Sequence, residues 1–183
     1  MKFTEQSLAG VFLIDPEPFS DNRGLFHRVF CGRELSEQNI DFSIKQSSIS
    51  ENKLRGTLRG FHYQHAPFQE GKIFSCIRGA VYDIVADLRP RSSTYLKWIA
   101  IELNAENRRT LYVPPGCANA YLTLEDETRL LYFHSEFYTA KAEGGIRYDD
   151  PFFKFKWPMM PAVISEKDKN YPPFVPEPSQ SQR

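Results

Sequence analysis

The segment KIFSCIRGAVYDIVADL, residues 72–88, decides the fold. Apolar, aromatic and β-branched residues fill both halves, and Arg78-Gly79 interrupts them, so the segment reads as two strands around a turn. Segments of the same kind lie on either side. GVFLIDPEPF (10–19), GLFHRVF (24–30), FSIKQSSIS (42–50) and TLRGFHYQ (57–64) precede it. LKWIAIEL (96–103), RTLYVPP (109–115), NAYLTLE (119–125) and TRLLYFHSEFY (128–138) follow it. Short strands at regular spacing with turn residues between them predict an all-β sandwich or barrel. GRELSEQN (32–39) is the one early helix the pattern predicts. Seven of the thirteen prolines fall beyond residue 150, where central strands are excluded, so this part is expected to wrap the β-domain in loops and short helical turns. One domain over 1–175 is expected, with 176–183 having the composition of a disordered tail.

With 183 residues the chain can bury a sizeable core in one domain but not in two ordinary ones. A formal net charge of zero and a pI near 6.9 argue against nucleic acid or an anionic membrane as partner. Cys31, Cys76 and Cys117 are odd in number and lack CxxC spacing, which argues against a disulfide framework or zinc site and for a reducing compartment. No leader-like N-terminus and no long apolar run is present. A soluble, cytoplasmic protein is expected.

Chargeable residues inside the strands mark the places where chemistry is possible. In TLRGFHYQH (57–65), His62 shares a strand face with Gly60 and Gln64, while Arg59 faces the other way unless Gly60 introduces a bulge. His62, His65 and Glu70, with His134 downstream, have the residue types of a degraded metal motif. Their spacing puts the two nearby histidines on opposite faces, and no metal is expected. Lys72 opens a strand and can be a solvated strand end. Asp83 lies within a strand, where a carboxylate must be paired or line a cavity. Asn119 sits between Ala118 and Ala120 and would suit a pocket wall. Tyr132 and Tyr138, six residues apart, share a strand face, which is more often a core or cross-strand feature than a pair of proton donors. DNRGLF (21–26) reads as an Asx turn entering a strand, and SEKD (165–168) as a turn or helix N-cap.

Taken in order, these elements form one series: DNRGLF, LRGFHYQ, Gly71-Lys72, GAVYDIVADLR, PPGCANA, Tyr132 with Tyr138, GIRYDDP, Trp157-Pro158 and SEKD. The series resembles the dTDP-4-dehydrorhamnose 3,5-epimerase family of nucleotide-sugar enzymes over roughly residues 3–173. The resemblance implies a cupin-type jelly-roll β-sandwich and a homodimer that exchanges strands, with no metal or other cofactor. By the same resemblance His62 is the general base, Asp168 its orienting carboxylate, Tyr132 the opposed acid and Lys72 the cation at the keto oxygen. Arg59 and Arg23 would contact the diphosphate, and Phe26 and Tyr138 would sandwich the nucleotide base. Gln46 and Ser50 would lie on a substrate-contacting strand, with Asp83 as a buried polar neighbour. These roles suit epimerisation beside a ketone, which needs a base, an acid on the opposite face and positive charge at the enolate oxygen.

Four positions depart from the family pattern: Arg28 stands for a glutamate, Ser48 for an asparagine, Glu70 for a glutamine and Asn119 for a histidine. Arginine cannot accept a hydrogen bond, so Arg28 suits a base edge or phosphate offering acceptors, and CDP or GDP stands beside dTDP as the carrier. The expected activity is inversion of carbon 5, carbon 3 or both in a nucleoside-diphosphate 4-keto-6-deoxy sugar. The alternatives are a 3,4-ketoisomerase on the same substrate class and a catalytically silent sugar-nucleotide binding protein.

Overall fold

The structure, a computed structural model, describes residues 1–176; the expected tail lies outside them except for Pro176. The early strands are β1 (Lys2–Glu5), β2 (Phe12–Asp15), β3 (Phe19–Asp21) and β4 (Gly24–Phe26), followed by helix α1 (Gly32–Glu37). The central series is β5 (Gln46–Asn52), β6 (Thr57–Gln64), β7 (Lys72–Arg78), β8 (Ala80–Asp87), β9 (Trp98–Asn104), β10 (Thr110–Val113), β11 (Cys117–Thr123) and β12 (Thr128–His134). Two short strands, β13 (Glu143–Gly145) and β14 (Val163–Ile164), and helix α2 (Glu166–Lys169) complete the described chain. The sequence pattern had shown neither β13 nor β14, because strands of three and two residues carry no periodicity. No helix among the described residues is long and apolar enough to cross a membrane.

Two antiparallel sheets form a jelly-roll sandwich of the cupin type. One runs β1-β2-β10-β7-β12-β5 and the other β13-β6-β11-β8-β9, with β14 added parallel to β6. The β3–β4 hairpin belongs to neither. From β5 to β12 the chain changes sheet at every step but β8 to β9. The Arg78-Gly79 turn therefore joins two strands that do not pair with each other. Gly79 makes this corner at φ +73°, packed against Thr128, a conformation that favours glycine.

Both faces of the central strands are covered, which is why β8 and β11 read as near-continuous apolar runs rather than alternating ones. Between the sheets, Phe74, Val81, Val85, Leu103, Leu111 and Leu130 make the inner core. The outer face of the second sheet, with Phe61, Ile84, Ala86, Ala118 and Ala120, is covered by Ile146, Phe153 and Phe155 from the C-terminal segment. The outer face of the first sheet, through Ile73 and Tyr112, is covered by Leu35, Ile40 and Phe42. The proline-rich end thus forms a layer over the sandwich.

The inner face changes character along its length. On β7 the inward residues run Lys72, Phe74, Cys76, and their partners on β12 are His134, Tyr132 and Leu130. One end of the sandwich is sealed by hydrocarbon, and the other is lined with polar groups.

Candidate active site

At that polar end lies a cavity of about 470 Å³, walled by β5, β7 and β12 from one sheet and β6, β11 and β13 from the other. His62 reaches it from β6 and Tyr132 from β12, so the two approach from opposite sheets. Arg59 also lines it. Between β6 and β11 the register slips: His62 pairs with Asn119 while Arg59 pairs with Tyr121, three residues on one strand against two on the other. The extra residue is a bulge at Gly60, and it turns Arg59 and His62 to the same face. Gly60 has φ +114°, and a Cβ there would lie 2.6 Å from the Asn119 carbonyl oxygen. Only glycine fits.

His62 Nε2 is 2.8 Å from Asp168 Oδ1, across 106 residues of sequence. Parallel pairing of β14 with β6 brings the SEKD segment alongside, with Ile164 opposite Leu58. Ser165 then caps α2 by accepting a hydrogen bond from the Asp168 backbone N–H, and the Asp168 side chain turns inward, buried. Its second oxygen accepts from the Gly60 N–H at 3.3 Å. Burial alone would raise the Asp168 pKa. The His62 hydrogen bond and charge, with help from Gly60 and Ser165, outweigh it and hold the carboxyl below its usual range. With Nε2 donating to this carboxylate, Nδ1 of His62 carries the lone pair and is the atom able to accept a proton.

Lys72 is buried, and its ammonium donates to the His62 carbonyl at 2.9 Å and to Asn119 Oδ1 at 3.0 Å, with Glu70 Oε1 at 3.4 Å. Asn119 in turn donates to Asp83 Oδ2 at 3.3 Å. Asp83 is fully buried behind the cavity wall, its other oxygen without a hydrogen-bond partner among the described residues. Burial pushes its pKa well above the usual carboxylate range, against the opposing pull of Asn119 and Lys72. Tyr132 stacks on Phe74 at 4.8 Å and on His134 at 5.7 Å. Burial first, then Tyr121 and Asp83, hold its phenol well above the usual range. It is a protonated phenol at neutral pH.

Gln46, Ser48 and Ser50 line the cavity from β5, Asn119 lines it from β11, and Tyr138 from the segment after β12. Tyr138 is exposed; its backbone N–H donates to Gln46 Oε1 and its hydroxyl to Glu143 Oε2 at 2.8 Å. Arg59 Nε donates to Asn52 Oδ1 at 2.8 Å, which aims the guanidinium along β5. Arg23, Phe26 and Arg28 do not join this group within the chain. Arg23 pairs with Asp21 in the β3–β4 hairpin, Phe26 is 75 % exposed, and Arg28 pairs with Glu34 at 2.7 Å.

Other residues of the cavity had gone unread in the sequence. Tyr121 bonds Ser50 at 2.7 Å, and its position two residues after Asn119 on one face of β11 was a usable signal. Glu143 carried no such signal; it arrives only because β13 pairs with β6, Glu143 opposite Gln64. The histidines of the degraded metal motif go separate ways. His62 bonds Asp168, His134 bonds Glu70 at 3.0 Å, and His65 packs edge-on to Tyr63. No cluster of three or more His, Cys, Asp or Glu that could hold a metal ion occurs among the described residues.

Comparison with known proteins gives a consistent result. The family model described as dTDP-4-dehydrorhamnose 3,5-epimerase matches residues 5–175. The chain is 39% identical over 173 residues to the dTDP-4-dehydrorhamnose 3,5-epimerase of Sinorhizobium fredii, covering 94% of this chain and 89% of that one. A solved Bacillus anthracis enzyme of the same description, with TDP and pyrophosphate bound, superimposes with a TM-score of 0.91 at 32% identity, covering 94% of this chain and 99% of that one. A 3'-monoepimerase from Streptomyces bikiniensis in complex with dTDP-quinovose superimposes with a TM-score of 0.85 at 32% identity, over 91% and 85% of the two chains.

Proposed function

The chain belongs to the dTDP-4-dehydrorhamnose 3,5-epimerase family, and we propose that it inverts carbon 5, carbon 3 or both of a nucleoside-diphosphate 4-keto-6-deoxy sugar with His62 as base and Tyr132 as acid. One observation carries this reading: His62 and Tyr132 enter one cavity from opposite sheets. Epimerisation removes a proton from one face of a carbon and returns one to the other, so a base and an acid on opposed walls are what the reaction needs.

His62 Nδ1 takes the proton beside the keto group, and Asp168 stabilises the imidazolium that forms. The electron pair moves onto the keto oxygen as an enolate. Lys72, a cavity residue whose ammonium bonds the His62 carbonyl, is the cation for that oxygen. Tyr132 then gives its proton to the carbon from the other side. Arg59, planar and permanently charged, holds the diphosphate so that the sugar lies over His62. Ser48, Ser50 and Gln46 offer hydrogen bonds along the same wall, and Tyr138 offers a face for the nucleotide base.

Arg23, Phe26 and Arg28 act from a second copy of the chain. The β3–β4 hairpin projects with Phe19 and Phe26 largely exposed, and a homodimer exchanging this ribbon would bring an arginine and an aromatic ring to the partner's cavity.

The reaction is tested by proton NMR in D2O with a 4-keto-6-deoxy sugar offered as the dTDP, CDP and GDP derivative. Deuterium at carbons 5 and 3 is the signature of a 3,5-epimerase, and deuterium at one of them that of a monoepimerase. Binding without exchange from any of the three would replace the reading with that of a silent binding protein.

A further inference from the structure

Glu70 is a charged cavity residue that the reaction above does not use. It lines the same cavity as His62, Lys72 and Tyr132, and its side chain is only 12% exposed. Burial alone would raise its pKa; the His134 hydrogen bond and the Lys72 charge overcome this and hold the carboxyl below its usual range. Glu70 is therefore an ionised carboxylate at neutral pH, able only to accept hydrogen bonds. Oε2 receives His134 Nδ1 at 3.0 Å and Oε1 lies 3.4 Å from Lys72 Nζ. Each oxygen has lone-pair capacity beyond one such partner.

His134 braces this carboxylate. It lies directly opposite Lys72 on β7 and Gln46 on β5, and its ring stacks on Tyr132 at 14°. Glu70 is thus held between two cavity residues and cannot swing away to solvent without losing both. Lys72 already has the His62 carbonyl and Asn119 Oδ1 as close acceptors, and Glu70 is its longest contact. That contact is the one a substrate keto oxygen can replace while His134 retains the carboxylate.

A keto oxygen held by Lys72 would bring the substituent on the adjoining sugar carbon beside Glu70. Oxygens on neighbouring sugar carbons lie about a hydrogen-bond length apart, so the lysine and the carboxylate form one two-part reader. The lysine donates to the oxygen that gains negative charge, and the carboxylate accepts from a group that must carry a proton. A methyl group would leave a desolvated carboxylate facing hydrocarbon, so the carbon read is the one that bears a hydroxyl, carbon 3 rather than carbon 5.

We propose that Glu70, braced by His134, determines substrate specificity by accepting a hydrogen bond from the hydroxyl on the carbon next to the keto group. This rests on the epimerase reading of the cavity for the placement of the keto oxygen at Lys72.

The test compares a nucleoside-diphosphate 4-keto-6-deoxyglucose with its 3-deoxy counterpart, using deuterium exchange at carbons 5 and 3 for kcat/KM and calorimetric titration for Kd. The wild-type protein is expected to favour the hydroxylated sugar by about 10- to 100-fold in both measurements, the range for a hydrogen bond to a charged group. Glu70→Gln keeps the shape and removes the charge; its loss should fall mainly on the hydroxylated sugar and shrink the preference about fivefold or more. His134→Phe keeps a ring on Tyr132 but removes the brace, and the preference should shrink in the same direction. Equal losses on both sugars in folded variants would overturn the proposal, because Glu70 would then act through Lys72 alone. Absence of deuterium exchange at both carbon 5 and carbon 3 with either sugar would remove the epimerase reading, while the ratio of the two Kd values would still decide the role of Glu70.

Discussion

His62 owes its orientation to a carboxylate 106 residues away, and the titration of that carboxylate is linked to stability with a definite sign. The Asp168 pKa is lowered in the folded protein from an ordinary value of 3.8. Its contribution is therefore fully present above that value and is lost as pH falls through the folded-state pKa. Asp168→Asn is expected to flatten this acid limb in thermal unfolding and to lower kcat by about 10²- to 10⁴-fold, since the amide no longer holds the productive tautomer. Asp83 carries the opposite sign. Its folded pKa is raised by burial, so deprotonation opposes folding increasingly as pH rises above the ordinary carboxylate value. Asp83→Asn, which mimics the neutral acid, should make the protein more stable than wild type at alkaline pH, and the gain should vanish in acid. A wild-type advantage at alkaline pH would show that Asp83 is ionised in the fold.

At the scale of the element, β6 carries more of the site than any other strand. Its bulge at Gly60 sets Arg59 and His62 on one face. Its edges receive β13 and β14, which deliver Glu143 and the segment leading to Asp168. Gly60→Ala would force a Cβ to within 2.7 Å of Ala120 Cα at a backbone angle of +114°. The expected cost is about 2–5 kcal/mol of stability, from strain and overpacking together. Activity in the surviving folded fraction should fall by about 100-fold, because His62 moves relative to Tyr132. Denaturant unfolding and deuterium exchange on the same sample separate the two effects. The need for a bulge was legible in the sequence from the period of two that separates residues 59 and 62. Its register was not, because which residue on β11 faces which on β6 depends on contacts between distant parts of the chain.

Across the whole molecule, the cavity occupies the end of the sandwich where the inward rows turn from Leu130 and Cys76 to His134 and Lys72. The exposed β3–β4 hairpin gives that cavity a testable second source of residues. Arg23→Ala and His62→Asn, each impaired alone, should regain about a quarter of wild-type activity when co-expressed, because a mixed dimer has one intact cavity if the hairpin crosses between subunits. No recovery from mixed dimers would show that the hairpin's Arg23 does not serve the partner's cavity. The sequence by itself determined the class of the fold and the order of its chemistry-bearing residues, from the spacing of strands and turns and from motifs read in series. Strand-forming tendency is local, and the motifs are short enough to survive in one dimension. Only the tertiary structure decided that the strands on either side of Arg78-Gly79 belong to different sheets, which outer face the C-terminal segment covers, and that pairing of β14 with β6 is the route by which Asp168 reaches His62. Those outcomes depend on which apolar face finds which partner, and burial of surface carries no information about direction along the chain.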